Sequence, residues 1–173
     1  PAIEPKVPHD LLRDFAPITQ LVNVPFVLLV NPKLGISNIG ELLARATSQP
    51  GKLSYGTVGV GSSNHLMFEL LKSMGRVDIL HVPYKGSAPA MQDLNGGQVP
   101  ISFDTNIASV PQMKAGKIKA LAVTTAKRLS TAPEVPTLAE AGLAGFELSA
   151  WVSFVAPRGL PETARTTLVK ALA

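Results

Sequence analysis

The spacing of apolar positions changes repeatedly along the chain. Phe26 to Val30 is an unbroken apolar run between Pro25 and Asn31-Pro32, the length and composition of a strand buried on both faces. A β-prone stretch, Ile18 to Val22, precedes it, and Pro25 marks a bend between the two. Leu42, Leu43 and Ala46 then fall at helical spacing behind Ser37, the expected N-cap, and the helix must stop before Pro50-Gly51. Leu53 to Val58 reads as a strand. It runs into the turn Gly59-Val60-Gly61 and Ser62, a cap for a helix over Ser63 to Met74. A strand over Ile79 to Pro83, a helix over Gly86 to Leu94 stopped by Asn95-Gly96-Gly97, a strand over Ile101 to Asp104, a short helix over Ala108 to Ala115 and a strand over Lys119 to Thr124 follow.

Strands alternating with helices of this length predict an α/β domain with a mostly parallel, mixed sheet flanked by helices. After Thr125 the chain turns polar, with Pro133 and Pro136, a short helix expected over Thr137 to Ala141, a strand around Trp151 to Val155 and a last helix opened by Pro161. Boundaries near Val22 to Pro25 and Thr124 to Ala126 make residues 25 to 124 one continuous lobe, with residues 1 to 24 and 125 to 173 as flanking segments of another. Trp151, the single tryptophan, is expected in a core or against that other lobe.

Composition removes several classes. The 173 residues are 46% hydrophobic, enough for a substantial core. The formal charge is +4, but Lys and Arg are scattered and only 5% of residues are aromatic, which argues against nucleic acid. The absence of cysteine excludes thiolate metal sites, disulfides and cysteine catalysis. The run Val24 to Val30 is far shorter than the roughly 20 residues of a membrane span, so no membrane insertion is expected.

Two strand-to-helix junctions carry the candidate chemistry. Gly61, Ser62, Ser63 and Asn64 lie where unpaired helix-start amides and the positive end of the helix dipole favour a carboxylate or phosphate. The Gly-Lys-Ser/Thr of a P-loop is missing, and the dinucleotide pattern lacks its third glycine. At the second junction, Tyr84 offers a wall and a hydroxyl, Lys85 a charge, and Gly86 with Ser87 further helix-start amides. In open α/β sheets such turns share the carboxyl edge of the strands. Asp104, ending a third strand, either orients a ligand amine or caps the next turn. His65 with Ser62 is the one candidate base and nucleophile pair; no metal spacing and no nucleophile elbow accompany it. The residues therefore leave open a binding protein for a small anion, an α/β enzyme acting on a small organic acid, or a protein-interaction module.

The stretches PFVLLVNP, GVGSSNHL, VPYKGSAPAMQDLNGGQV, AGKIKALAVTTAKR and PEVPTLAEAG occur in this order along the chain. Together they resemble the Bug-type receptors, the substrate-binding proteins of tripartite tricarboxylate transporters. Two positions depart from the family pattern: Pro100 stands where an acidic residue is usual, and Ser153 where a glycine is. The resemblance implies a hinged, two-lobed periplasmic receptor that clasps a small carboxylate and passes it to membrane permease subunits, with no cofactor and no catalysis. It implies hinge strands at Val22 to Val24 and Thr124 to Ala126. The ligand contacts it implies from this lobe are the Ser62-Ser63-Asn64 turn, with Tyr84-Lys85-Gly86-Ser87 and Asp104 as neighbours. Family members are longer, so the chain is expected to enter late in the first lobe and leave before its last helix is complete. Weak ligand affinity, exposed apolar flanks and self-association of this chain alone follow as expectations.

Overall fold

The computed structural model describes residues 8–172. The chain divides into two compact units, one formed by Pro25–Ser149 and the other by the two ends, up to Val24 and from Ala150. The end unit pairs strand β1 (Phe15–Val24) antiparallel with β7 (Ala150–Pro157), from Phe15 opposite Pro157 to Val24 opposite Ala150, with two register shifts between. A four-residue helix α1 (Leu11–Asp14) precedes this ribbon and α6 (Glu162–Leu172) follows it. Trp151 is 65% exposed, and Val22, Val152 and Phe154 are also exposed. The core position expected for Trp151 is thus corrected: its side chain lies on an exposed part of a two-stranded ribbon.

In the larger unit the strands are β2 (Phe26–Val30), β3 (Ser54–Thr57), β4 (Leu80–Pro83), β5 (Ile101–Thr105) and β6 (Lys119–Val123). Its helices are α2 (Ile39–Ser48), α3 (Ser63–Gly75), α4 (Ser87–Gly96) and α5 (Asn106–Lys114). The sheet order is β4-β3-β5-β2-β6. Strand β3 runs parallel to β4 and β5, whereas β2 runs antiparallel to both β5 and β6. The sheet is mixed, and all five residues of β2, an interior strand between β5 and β6, are buried. Helices cover it with narrow apolar faces: Ile39, Leu42 and Ala46 of α2, and Met67, Phe68 and Leu71 of α3. Phe68 stacks on Tyr55 at 4.0 Å and tilts against Phe103 at 4.6 Å between ring centroids. Each such fully buried aromatic side chain contributes roughly 2–3 kcal/mol.

Three expectations change. Asn38, not Ser37, caps α2: its Oδ1 accepts from the Glu41 amide at 2.9 Å, while Ser37 N–H donates to the Glu41 carboxylate at 2.6 Å. Thr137 to Ala141 forms one helical turn and no helix. The Ala141 amide reaches Thr137 O at 3.0 Å, and the chain then leaves through Gly142 at φ +111°.

The third concerns the division of the chain, which falls at Ser149/Ala150 and not near Thr124. Thr137 pairs with Val123, Leu138 N–H donates to Val123 O at 2.9 Å, and Leu148 N–H donates to Thr124 O at 2.9 Å. Leu138 and Phe146 are buried against this unit, at 0% and 1% exposed. Residues 125 to 149 therefore pack with the sheet that β6 closes.

Candidate functional site

Strands β3, β4 and β5 all deliver their carboxyl ends to one edge of the sheet, and a helix begins within a few residues of each. The turn after β3 requires glycine at position 61, where φ is +78°, and the turn after β4 requires it at 86, where φ is +122°. These turns aim the starts of α3 and α4 at the same edge. At that edge lies an open concavity of about 350 Å³ lined by Phe26, Val58, Ser62, Ser63, Asn64, Ser87, Asp104 and Thr105.

Neither α3 nor α4 has a side chain bonded to its first-turn amides. Ser62 occupies the N-cap of α3, but its Oγ turns away from the helix, lying 2.5 Å from Gly59 O and 2.6 Å from Asn64 Oδ1. Asn64, 2% exposed, donates through Nδ2 to Phe103 O on β5 at 3.2 Å. Together Ser62 and Asn64 tie the glycine turn to the sheet, while Ser63 presents its hydroxyl and amide at the helix start. Two helix starts whose first-turn amides have no side-chain partner thus lie beside one concavity, the arrangement in which backbone N–H groups can receive an anion.

At the start of α4, Ser87 Oγ donates to Asp104 Oδ2 in a short hydrogen bond, and Asp104 Oδ1 accepts from the Thr105 amide at 2.7 Å. With its proton committed, Ser87 presents lone pairs to the concavity. Asp104 adds a second acceptor there and is 5% exposed. The site thus offers helix-start amide donors together with a serine-aspartate acceptor pair, a layout that fits a carboxylate bearing, or accompanied by, a hydrogen-bond donor such as water.

Four of the expected site residues stand apart from this lining. Gly61 N–H is occupied by His65 Nδ1 at 3.1 Å. Tyr84 packs its ring over Gly56, where a Cβ would meet Tyr84 Cε2 at 3.2 Å, and its hydroxyl donates to Asp93 Oδ2 at 2.7 Å. That bond and burial push its phenol up to about 12, burial first. Lys85 is exposed and forms no ion pair among the described residues, and Gly86 holds the N-cap position of α4 without lining the concavity. Ser62 and His65 share no hydrogen bond among the described residues. The serine is committed to Gly59 and Asn64, and the histidine to Gly61, which is not the geometry of a nucleophile and its base.

Phe26, Val58 and Thr105 complete the lining and were not anticipated. Phe26 reaches the edge because β2 runs antiparallel to β5, which sets it opposite Thr105. No residue type in the run Phe26 to Val30 announces that direction. Thr105 had a signal, the cap that its hydroxyl makes to the Ala108 amide at 3.4 Å.

The family model described as the tripartite tricarboxylate transporter family receptor matches residues 1–173. The chain belongs to this receptor family. It is 41% identical over 160 residues to a Pseudomonas sp. (strain P51) protein described as a UPF0065 protein in the tcbD-tcbE intergenic region, covering 92% of this chain and 48% of that one. Among solved structures, an R. palustris protein with adipate superposes at TM-score 0.91 with 40% identity, over 99% of this chain and 57% of that one. MatC from Rhodopseudomonas palustris, with bound malate, superposes at 0.87 with 34% identity, over 99% of this chain and 58% of that one. The chain thus spans about half the length of the curated relatives it matches. The mixed α/β architecture is that of the receptor family, in agreement with the resemblance read from the motifs.

Proposed function

We propose that the chain supplies one wall of the ligand site of a periplasmic receptor, which captures a small carboxylate and delivers it to the permease subunits of a tripartite transporter. The observation that carries this reading is the pair of helix starts without a side-chain cap, α3 and α4, beside one concavity that the bonded pair Ser87 and Asp104 also lines. A ligand carboxylate takes the amides of Ser63 and its neighbours. A ligand hydroxyl, an ammonium or a bound water takes Asp104. Phe26 and Val58 face the hydrocarbon part. The adipate and malate bound by the two solved relatives are both carboxylates of this size. Membership of a receptor family supports binding without turnover. Residues 25 to 124 are assigned to the second lobe, joined by 125 to 149, and the two ends to the first.

The test uses a substitution the backbone tolerates. Ser63 is the first residue of α3, and Ser62 before it is extended at φ −67°, ψ 160°, a setting that accepts proline after it. Ser63→Pro removes one amide and one hydroxyl from the anion site and leaves the helix in place. Thermal-shift and calorimetric titrations of the full-length protein with mono-, di- and tricarboxylates should give a saturable response for one class, weakened about tenfold or more in Ser63→Pro, the value of one charge-assisted hydrogen bond. Full-length protein that responds to no carboxylate, or a variant that binds like wild type, refutes the assignment.

A further inference from the structure

Beneath the glycine turn lies a stack of rings that the concavity does not use. Tyr55 of β3, His81 of β4 and His65 of α3 lie face to face, with centroids 5.1 Å apart for Tyr55 and His81 and 4.2 Å apart for the two histidines. Both imidazoles hold the turn. Gly61 N–H donates to His65 Nδ1 at 3.1 Å. Thr57 Oγ1 lies 2.6 Å from His81 Nε2 and accepts from Gly59 N–H at 3.2 Å. An N–H aimed at Nδ1 requires a lone pair there, so His65 holds Gly61 only as the neutral tautomer with its proton on Nε2.

The charged groups around the pair decide where an added proton goes. Glu69 Oε1 lies 3.9 Å from His65 Nε2 and also takes the Tyr55 hydroxyl at 2.7 Å and Lys72 Nζ at 2.9 Å, while Lys72 sits 5.7 Å from the Tyr55 ring centre. Two cationic rings stacked at 4.2 Å repel, so the pair takes one proton well before a second. Burial first, and then the neighbouring His65, hold His81 below the usual imidazole range, with Lys72 acting the same way and Glu69 against it. A proton added to His65 lies beside Glu69. It turns the other ring nitrogen, Nδ1, into an N–H that faces the N–H of Gly61.

Resting on the receptor reading above, we propose that His65 is a positioning residue for the ligand site: neutral, it locks the turn that sets the start of α3, and protonated it releases that turn and weakens carboxylate capture. A cation near the site would by itself attract an anion more strongly in acid, so the sign of the pH effect separates a hydrogen-bonding role from a charge effect.

The experiment titrates the full-length protein with adipate between about pH 8 and about pH 5.5, beside His65→Asn and His65→Ala. Asparagine offers Oδ1 near the position of Nδ1 and does not titrate, and the ligand's own ionisation is common to all three proteins. Wild-type affinity falls by up to about tenfold relative to His65→Asn across this range, the scale of one hydrogen bond lost at the turn. His65→Ala binds weakly throughout. A wild-type slope equal to that of His65→Asn, or affinity that rises relative to it in acid, overturns the proposal. The Gly61 amide resonance, followed without ligand, provides a readout independent of adipate binding. It shifts with the His65 titration in wild type and stays fixed in His65→Asn; a Gly61 amide insensitive to that titration overturns the proposal whether or not adipate binds. Failure of adipate to bind near pH 8 counts against the receptor reading for that ligand and leaves the amide measurement to decide the role of His65.

Discussion

Asn64→Ala is the substitution that best separates a structural from a ligand-contacting role at the head of α3. The side chain makes three contacts: Nδ2 to Phe103 O at 3.2 Å, Oδ1 from Ser62 Oγ at 2.6 Å and Oδ1 from the Val58 amide at 3.4 Å. The first contributes about 1 kcal/mol, the second shares the single Ser62 proton with Gly59 O and contributes less, and the third is marginal. Replacing a residue that is 2% exposed also leaves a small void. The predicted loss is about 2–3 kcal/mol, or about 6–10 °C in Tm for a unit of this size. Asn64→Asp should cost more, because it sets a carboxylate oxygen against the Phe103 carbonyl. Urea unfolding followed by circular dichroism, with an unchanged slope, measures the difference directly. A stability within about 0.5 kcal/mol of wild type, accompanied by lost carboxylate binding, would mean that the amide faces ligand and that this account of the turn is wrong.

Tyr84→Phe should lower stability by about 1–2 kcal/mol through loss of its bond to Asp93, with carboxylate affinity changed less than twofold. The opposite pattern would return Tyr84 to the ligand site. The chain has only two tyrosines, Tyr55 and Tyr84, and both donate to carboxylates, Glu69 and Asp93. Burial and those partners raise both phenols above the usual value of 10. The folded state thus favours the neutral phenols, so their stabilisation is complete below about pH 10 and is lost as pH rises from there towards the folded values. Phenolate absorbance should appear near pH 10 in urea and only at higher pH in the folded protein; coincident curves would contradict the two hydrogen bonds.

The order of strands and helices was legible because each buried strand is a short apolar run and each helix start has a small polar or glycine signal. Direction was not legible. The run Phe26 to Val30 reads the same for a parallel or an antiparallel neighbour, and pairing with β5 and β6 is decided by residues far along the chain. Residues 125 to 149 misled for a related reason: Leu138 and Phe146 are buried without belonging to any periodic element, so their membership of the sheet's unit left no pattern. At the candidate site the positions of Ser62, Ser63, Asn64, Ser87 and Asp104 were readable from their places at strand ends, but the aim of each side chain was not. A hydroxyl at an N-cap signals a helix bond, whereas Ser62 bonds Gly59 and Asn64. The stacked histidines lay in plain view as His65 and His81, yet only the parallel crossover from β3 to β4 brings their rings together.

The interior place of β2, between β5 and β6, also bears on how the chain comes to be folded. During synthesis its five apolar residues emerge before both of the strands that pair with them, and the second partner, β6, appears only after four helices have been made. Loop closure must precede any reward from those contacts, which is the circumstance of a high-contact-order, slow-folding domain. Through that interval the most apolar run of the unit has no hydrogen-bonding neighbour, so a chaperone that shields Phe26 to Val30 would do more for the yield of folded protein than one acting on any later strand.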